Sequence, residues 1–105
     1  IRCSAGTAYT VGLDNGANAS GSTRRMRRAA TSDYLSYEIY RETITTDRWG
    51  NVGAERRSSA GADSNPGIYD GSTLQGFSYR AVIDPDQPTP TAGTYTDTII
   101  LDVTF

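Results

Sequence analysis

Apolar and polar residues alternate along most of this chain. In the closing segment the odd positions read Tyr95, Asp97, Ile99, Leu101, Val103 and Phe105. The even positions read Thr94, Thr96, Thr98, Ile100, Asp102 and Thr104. A period of two predicts a strand over 94–105, with β-branched Thr on its outer face. Asp97 interrupts the apolar side. Phe77, Tyr79, Ala81 and Ile83 alternate with Ser78, Arg80 and Val82, which predicts a second strand. It is stopped by Asp84-Pro85-Asp86-Gln87-Pro88-Thr89-Pro90, because proline removes ladder donors and fixes φ. Tyr9, Val11 and Leu13 predict a third strand, followed by a turn at Asp14-Asn15-Gly16. Tyr34 to Tyr40 reads as a fourth, with Leu35, Tyr37 and Ile39 on one face. Asp70-Gly71 marks a turn before a strand around Leu74.

The connections are long. Residues 17–23 are small and polar, and 46–72 hold only Trp49, Val52, Ile68 and Tyr69 as apolar anchors. Arg24 to Ala30 has room for one turn of helix, bounded by Gly21 and by Thr31-Ser32-Asp33. No longer helical stripe and no internal repeat is present. Short strands separated by Gly, Asn and Pro turns indicate an all-β antiparallel sandwich or barrel. Four or five strands make a thin sandwich, so either short strands lie within the loops or part of the fold lies outside this chain.

Composition narrows the chemistry. All ten basic residues are Arg; Lys and His are absent, and Cys3 is the single cysteine. Without His there is no Ser-His-Asp or Cys-His site, and without Lys no Schiff base and no P-loop. One Cys and no His leave no zinc site of the usual kinds, so no cofactor or metal is expected. A net charge of −2 argues against nucleic acid as a partner. No stretch approaches the ~20 apolar residues of a membrane-spanning helix, so no membrane insertion is expected. The chain opens at Ile1 without an initiator Met or a signal peptide, as a mature or trimmed product would.

Several residues carry two readings. Arg24, Arg25, Arg27 and Arg28 form either a polyanion patch or a solvated segment pairing with the 12 carboxylates, which Met26 anchors to the sandwich. Asp97 is either a catalytic carboxylate or, as favoured here, a structural one that caps a turn or pairs with an Arg. Tyr34, Tyr37, Tyr40, Tyr69, Tyr79 and Tyr95, with Trp49, either line a sugar-binding surface or pack as strand tyrosines ordinarily do. Asn18-Ala19-Ser20 matches a glycosylation sequon, a weak signal. No spacing of Asp and Glu suggests a glycosidase pair, so no catalytic residue and no enzyme activity are expected.

The ordered phrases Ile1-Arg2-Cys3-Ser4, Tyr9-Thr10-Val11-Gly12-Leu13-Asp14 with Gly16, Arg25-Met26, Leu35-Ser36-Tyr37-Glu38-Ile39-Tyr40, Trp49-Gly50 and Ala92-Gly93-Thr94-Tyr95-Thr96-Asp97-Thr98 are specific as a set. Together they resemble the spore coat protein U family, whose members look like pilin subunits of archaic chaperone–usher fibres. The resemblance covers nearly the whole chain and matches the C-terminal two-thirds of such a subunit. It implies an incomplete immunoglobulin-like antiparallel β-sandwich, completed by a donor strand added to an open sheet edge.

On that reading residues 1–105 are a single pilin-like domain whose N-terminal part is missing from this chain. Cys3 is then half of a disulfide with its partner outside the chain, the alternative being a small buried hydrophobe. Tyr95, Ile99, Leu101, Val103 and Phe105 are the expected strand-pairing residues bordering the acceptor groove. The implied partners are a periplasmic chaperone, an outer-membrane usher and neighbouring fibre subunits. The implied function is a structural subunit of a secreted bacterial surface fibre, supporting adhesion and biofilm formation. The alternative is a fibre-tip adhesin domain binding a glycan or surface, with an exposed aromatic cluster near Trp49.

Overall fold

A computed structural model describes residues 6, 8–41, 44–68 and 70–105. Eight strands run in the order β1 (Thr10–Leu13), β2 (Arg24–Arg28), β3 (Tyr34–Arg41), β4 (Ile44–Arg48), β5 (Arg57–Ser58), β6 (Tyr79–Ile83), β7 (Tyr95–Thr96) and β8 (Leu101–Thr104). They form two antiparallel sheets. One has the order β5-β1-β8; the other has β4-β3-β2-β7, with β6 on β3 as well. The all-β sandwich expected from the alternation is therefore what the chain adopts.

The core lies between the sheets. Tyr9, Val11, Leu13, Ile39 and Trp49 are buried, and Tyr37, Phe77, Ile99 and Val103 pack against them. Trp49 donates its indole N–H to the Val11 carbonyl at 3.0 Å. The Tyr9 hydroxyl meets the buried Gln75 Oε1 at 2.6 Å. Each polar tip thus has a partner inside the apolar layer, as burial requires.

Three expectations are corrected. First, 24–30 makes no helical turn. Arg24, Met26 and Arg28 alternate as a strand, registered antiparallel against Tyr37 to Tyr34. The hairpin closes where Thr31 N–H donates to the Arg28 carbonyl and Ala30 takes φ +59°. Second, 46–72 is not one loop. It contains the end of β4, the whole of β5 and two short 3-10 turns, Gly53–Glu55 and Ser59–Gly61. Only two residues of β5 enter the ladder, too few for a period to show. Leu74 lies in no strand; only Gly76 beyond it bridges, to Ser64.

Third, the closing segment is two strands in two different sheets. Tyr95 and Thr96 pair with Arg28 and Arg27, whereas Leu101 to Thr104 pair with Leu13 to Thr10. Residues 97–100 cross between the sheets, stitched to the loop after β1. Ala17 N–H donates to the Thr98 carbonyl, and Asp14 N–H to that of Ile100, each at 3.0 Å. The Asp14 side chain closes the predicted turn through Gly16 N–H at 3.0 Å, and also receives Ile100 N–H at 2.9 Å. Gly16 has φ +88°, the left-handed region that glycine tolerates. The Asn-Gly signal therefore marks a bend joining the sheets and not a two-residue hairpin. At the Asp70-Gly71 turn the carboxylate accepts the N–H groups of Thr73 and Ser72, which hold its pKa down to about 2.

Candidate strand-docking groove

Each sheet ends in an edge facing the same cleft. Among the described residues β8 pairs only with β1, and β6 only with β3. Between these edges runs an apolar groove. One part, about 510 Å³, is lined by Val11, Leu13, Ile39, Trp49, Phe77 and Tyr79, with Ile99 and Leu101 on the far wall. A second part, about 420 Å³, is lined by Met26, Tyr37, Ala81, Ile83 and Asp97. The alternation of 77–83 thus sets one wall and that of 97–101 the other. Leaving Tyr79, Ile83, Leu101 and Phe105 more than half exposed is costly for a soluble fold, and an apolar strip along unpaired edges marks an interaction surface.

The floor is rigid. Arg57 is buried beneath it, its guanidinium 5.1 Å from the Trp49 ring centroid and 5.2 Å from that of Phe77. It donates to Asp63 at 3.0 Å and to the Ser78 carbonyl at 2.9 Å. The Arg57 guanidinium, helped by Ser78 N–H, holds the Asp63 carboxyl below its ordinary range. Behind β8, Arg56 lies across the sheet, reaching Asp102 at 2.6 Å and Thr104 Oγ1 at 3.1 Å. It fits because residue 12 is glycine: a Cβ there would meet its guanidinium nitrogen at 2.3 Å.

Asp97 is the charged member of the groove wall. Its Oδ1 accepts from Asn18 N–H at 3.3 Å and from Asn18 Nδ2 at 3.0 Å; its Oδ2 accepts from the Tyr37 hydroxyl. It caps the crossing segment, as the structural reading expected, though through Asn18 and Tyr37 and not through an Arg. Burial, followed by the bond to Asp97, raises the Tyr37 phenol above its ordinary 10.0. A raised folded-state pKa contributes stability below pH 10 that is lost as pH rises above it. Urea unfolding is thus expected to show stability falling above pH 10, with a shallower fall in Tyr37→Phe. Equal slopes in the two proteins would refute this role.

Of the five expected strand-pairing residues, Ile99 and Leu101 line the groove. Val103 packs against the core. Phe105 stacks edge-on to Tyr9, centroids 6.5 Å apart. Tyr95 sits in β7 on the other sheet, donating its hydroxyl to the Thr91 carbonyl at 2.6 Å. Cys3 and Tyr69 lie outside the described residues. Sequence reasoning missed Val11, Leu13, Phe77 and Tyr79 as groove residues; their alternation was visible, but not that β6 and β8 are edges.

The four arginines share no patch. Arg24 is fully buried, not solvated; Arg28 pairs with Asp33. Arg25 lies 3.7 Å over the Tyr34 ring, and Arg27 donates to the Thr31 carbonyl. Trp49 is buried in the core and contacts Phe77, which with the exposed Tyr79 lines the apolar groove, so the aromatics near Trp49 belong to this groove and not to a separate loop-end surface among the described residues. Asn18 of the sequon is engaged with Asp97 and the Thr96 carbonyl.

The fold has a counterpart among solved structures. A chain of the CsuC–CsuE chaperone–tip adhesion subunit pre-assembly complex, from archaic chaperone–usher Csu pili of Acinetobacter baumannii, is similar with a TM-score of 0.73 and 36% identity. The match covers 99% of this chain and 32% of that one. Protein U of Myxococcus xanthus is 32% identical over 111 residues, which take in all of this chain and 56% of that protein. This chain therefore spans about half the length of the curated relative. Residues 1–102 match the Spore Coat Protein U domain, as the ordered sequence phrases led one to expect. With the match covering nearly the whole chain, the chain belongs to the spore coat protein U domain family.

Proposed function

We propose that residues 1–105 act as a single pilin-like domain within a subunit of an archaic chaperone–usher surface fibre, and that the groove between β6 and β8 receives an extended donor strand. A periplasmic chaperone fills it first. At the usher, the N-terminal extension of a neighbouring subunit replaces the chaperone strand. The fibre is extracellular and supports adhesion and biofilm formation. Cys3 is proposed as half of a bridge to a cysteine outside this chain. The observation that carries the reading is the apolar groove bounded by two strand edges that are unpaired among the described residues. An added strand supplies backbone donors and acceptors to those edges, and its alternate side chains fill the cleft. The likeness to a chain from a chaperone–subunit complex supports the chaperone as first partner.

The test is periplasmic co-expression with an archaic pilus chaperone. A stable one-to-one complex is expected, with slowed amide exchange along β8. Recovery of the chain as a free monomer, with β8 amides exchanging freely, refutes the proposal. That the neighbouring complex contains a tip adhesion subunit keeps a second reading in view, a tip domain that accepts a strand and binds a glycan. Glycan-array binding by the isolated complex separates the two.

A further inference from the structure

The groove carries a charge at one end only. Leading into and along β6 the inward positions run Phe77, Tyr79, Ala81 and Ile83; along the opposite wall they run Leu101, Ile99 and Asp97. A strand rises about 3.3 Å per residue, so an extended segment of about seven residues spans this length and points about four side chains inward. The positions beside Phe77, Tyr79, Ile99 and Leu101 meet no charged group; the one side-chain amide there, Gln75, is engaged by the Tyr9 hydroxyl and by the carbonyls of Asn65 and Gly67. The position beside Ala81, Ile83 and Met26 faces the Asp97 carboxylate.

Asp97 is not saturated. A carboxylate offers about four acceptor positions. Three donors reach it: Asn18 N–H, Asn18 Nδ2 and the Tyr37 hydroxyl. No ion-pair partner of Asp97 is present among the described residues, whereas Asp33, Asp63 and Asp102 each have one. A strand lying over the groove removes water from this anion. An apolar side chain above it would leave the charge desolvated and under-bonded, an acidic one would add repulsion, and a donor would satisfy it. Asp97 is the one charged residue among those lining the groove, so it distinguishes a strand from its reversed counterpart.

We propose that Asp97, held by Tyr37 and Asn18, reads a cationic or hydrogen-bond-donating side chain at one end of the incoming strand, and so fixes that strand's direction and register. The occupant is an extended segment of a partner chain, with alternating apolar side chains and a donor at the Asp97 end. This inference rests on the strand-docking reading above and adds to it a specificity-determining residue.

The probes are acetylated, amidated seven-residue peptides with Val at the two central inward positions and Thr at the outward ones. The inward residue at one end, or at the other, is Lys, Val or Glu. Binding to the full chain is measured by calorimetry. Lys at one end, and not at the other, is expected to bind about 10- to 100-fold tighter than Glu there, the range of a hydrogen bond to a charge. Asp97→Asn removes the charge and is expected to reduce that ratio to near unity. Tyr37→Phe keeps the carboxylate and is expected to preserve the ratio, which separates recognition from a loss of fold. Affinities equal within about threefold for Lys, Val and Glu at both ends overturn the Asp97 assignment while leaving strand docking intact. No binding by any peptide overturns the docking reading together with it.

Discussion

Arg24→Met is expected to lower the unfolding free energy by about 3–5 kcal/mol, the range for removing one partner from a buried charge network. Arg24 is fully buried. Its guanidinium pairs with Glu38 and donates to the carbonyls of Asp14 at 2.8 Å, Trp49 at 2.7 Å and Leu13 at 3.1 Å. Those carbonyls sit at the end of β1 and just beyond β4, while Arg24 and Glu38 belong to β2 and β3. One side chain thus ties the two sheets together. Met has similar length but no donors, so the three carbonyls lose their guanidinium partner inside the core. Glu38 keeps Arg48 at 2.9 Å, and Arg48 in turn keeps Glu55 at 2.7 Å, which limits the damage to the Arg24 end. For a domain of about 100 residues each kcal/mol is worth about 4–8 °C, so the melting temperature should fall by roughly 15–30 °C. Circular dichroism melting checks this. A fall of only a few degrees would mean that the network contributes little.

Leu101→Asp should spare the fold and abolish strand capture. Leu101 is 52% exposed and lines the groove opposite Phe77 and Tyr79. A polar residue at so open a position changes stability by roughly 0.5 kcal/mol or less. Under an inserted strand the same carboxylate would be enclosed by Val11, Leu13 and Ile99, none of which carries a side-chain donor. An unpaired buried charge there should weaken docking by at least about 3 kcal/mol, more than a hundredfold in affinity. Chaperone pull-down of the variant should recover no complex while its melting temperature stays within a few degrees. Normal recovery of the complex would place the docking surface elsewhere. The two substitutions are complementary: Arg24 is needed for the sandwich to stand, Leu101 for what lies against it.

Much of this was legible beforehand because β alternation is local. Side chains on a strand alternate faces whatever the partner, so 9–13, 34–40 and 77–83 announce themselves. The Asp70-Gly71 turn and the Pro85-Pro88-Pro90 break were readable for the same reason, since φ limits and side-chain-to-backbone bonds act within a few residues. The ordered family phrases, running from Ile1 to Thr98, carried the family.

Other features depend on residues far apart in sequence. Alternation over 94–105 is unbroken in hydropathy, yet its two halves belong to different sheets, because Asp14, Ala17 and Asn18 hold the crossing segment. Arg24 reads as a surface cation; three distant carbonyls and Glu38 make it a core residue. Period two says which face a side chain takes and not which strand lies beside it, so the edges of β6 and β8 were invisible. From sequence alone come the all-β class, the main strands and the family. Only the tertiary structure decides where the sheets end and which apolar residues line a groove between those edges, because hydrogen-bond partners and burial are set by contacts across the whole chain.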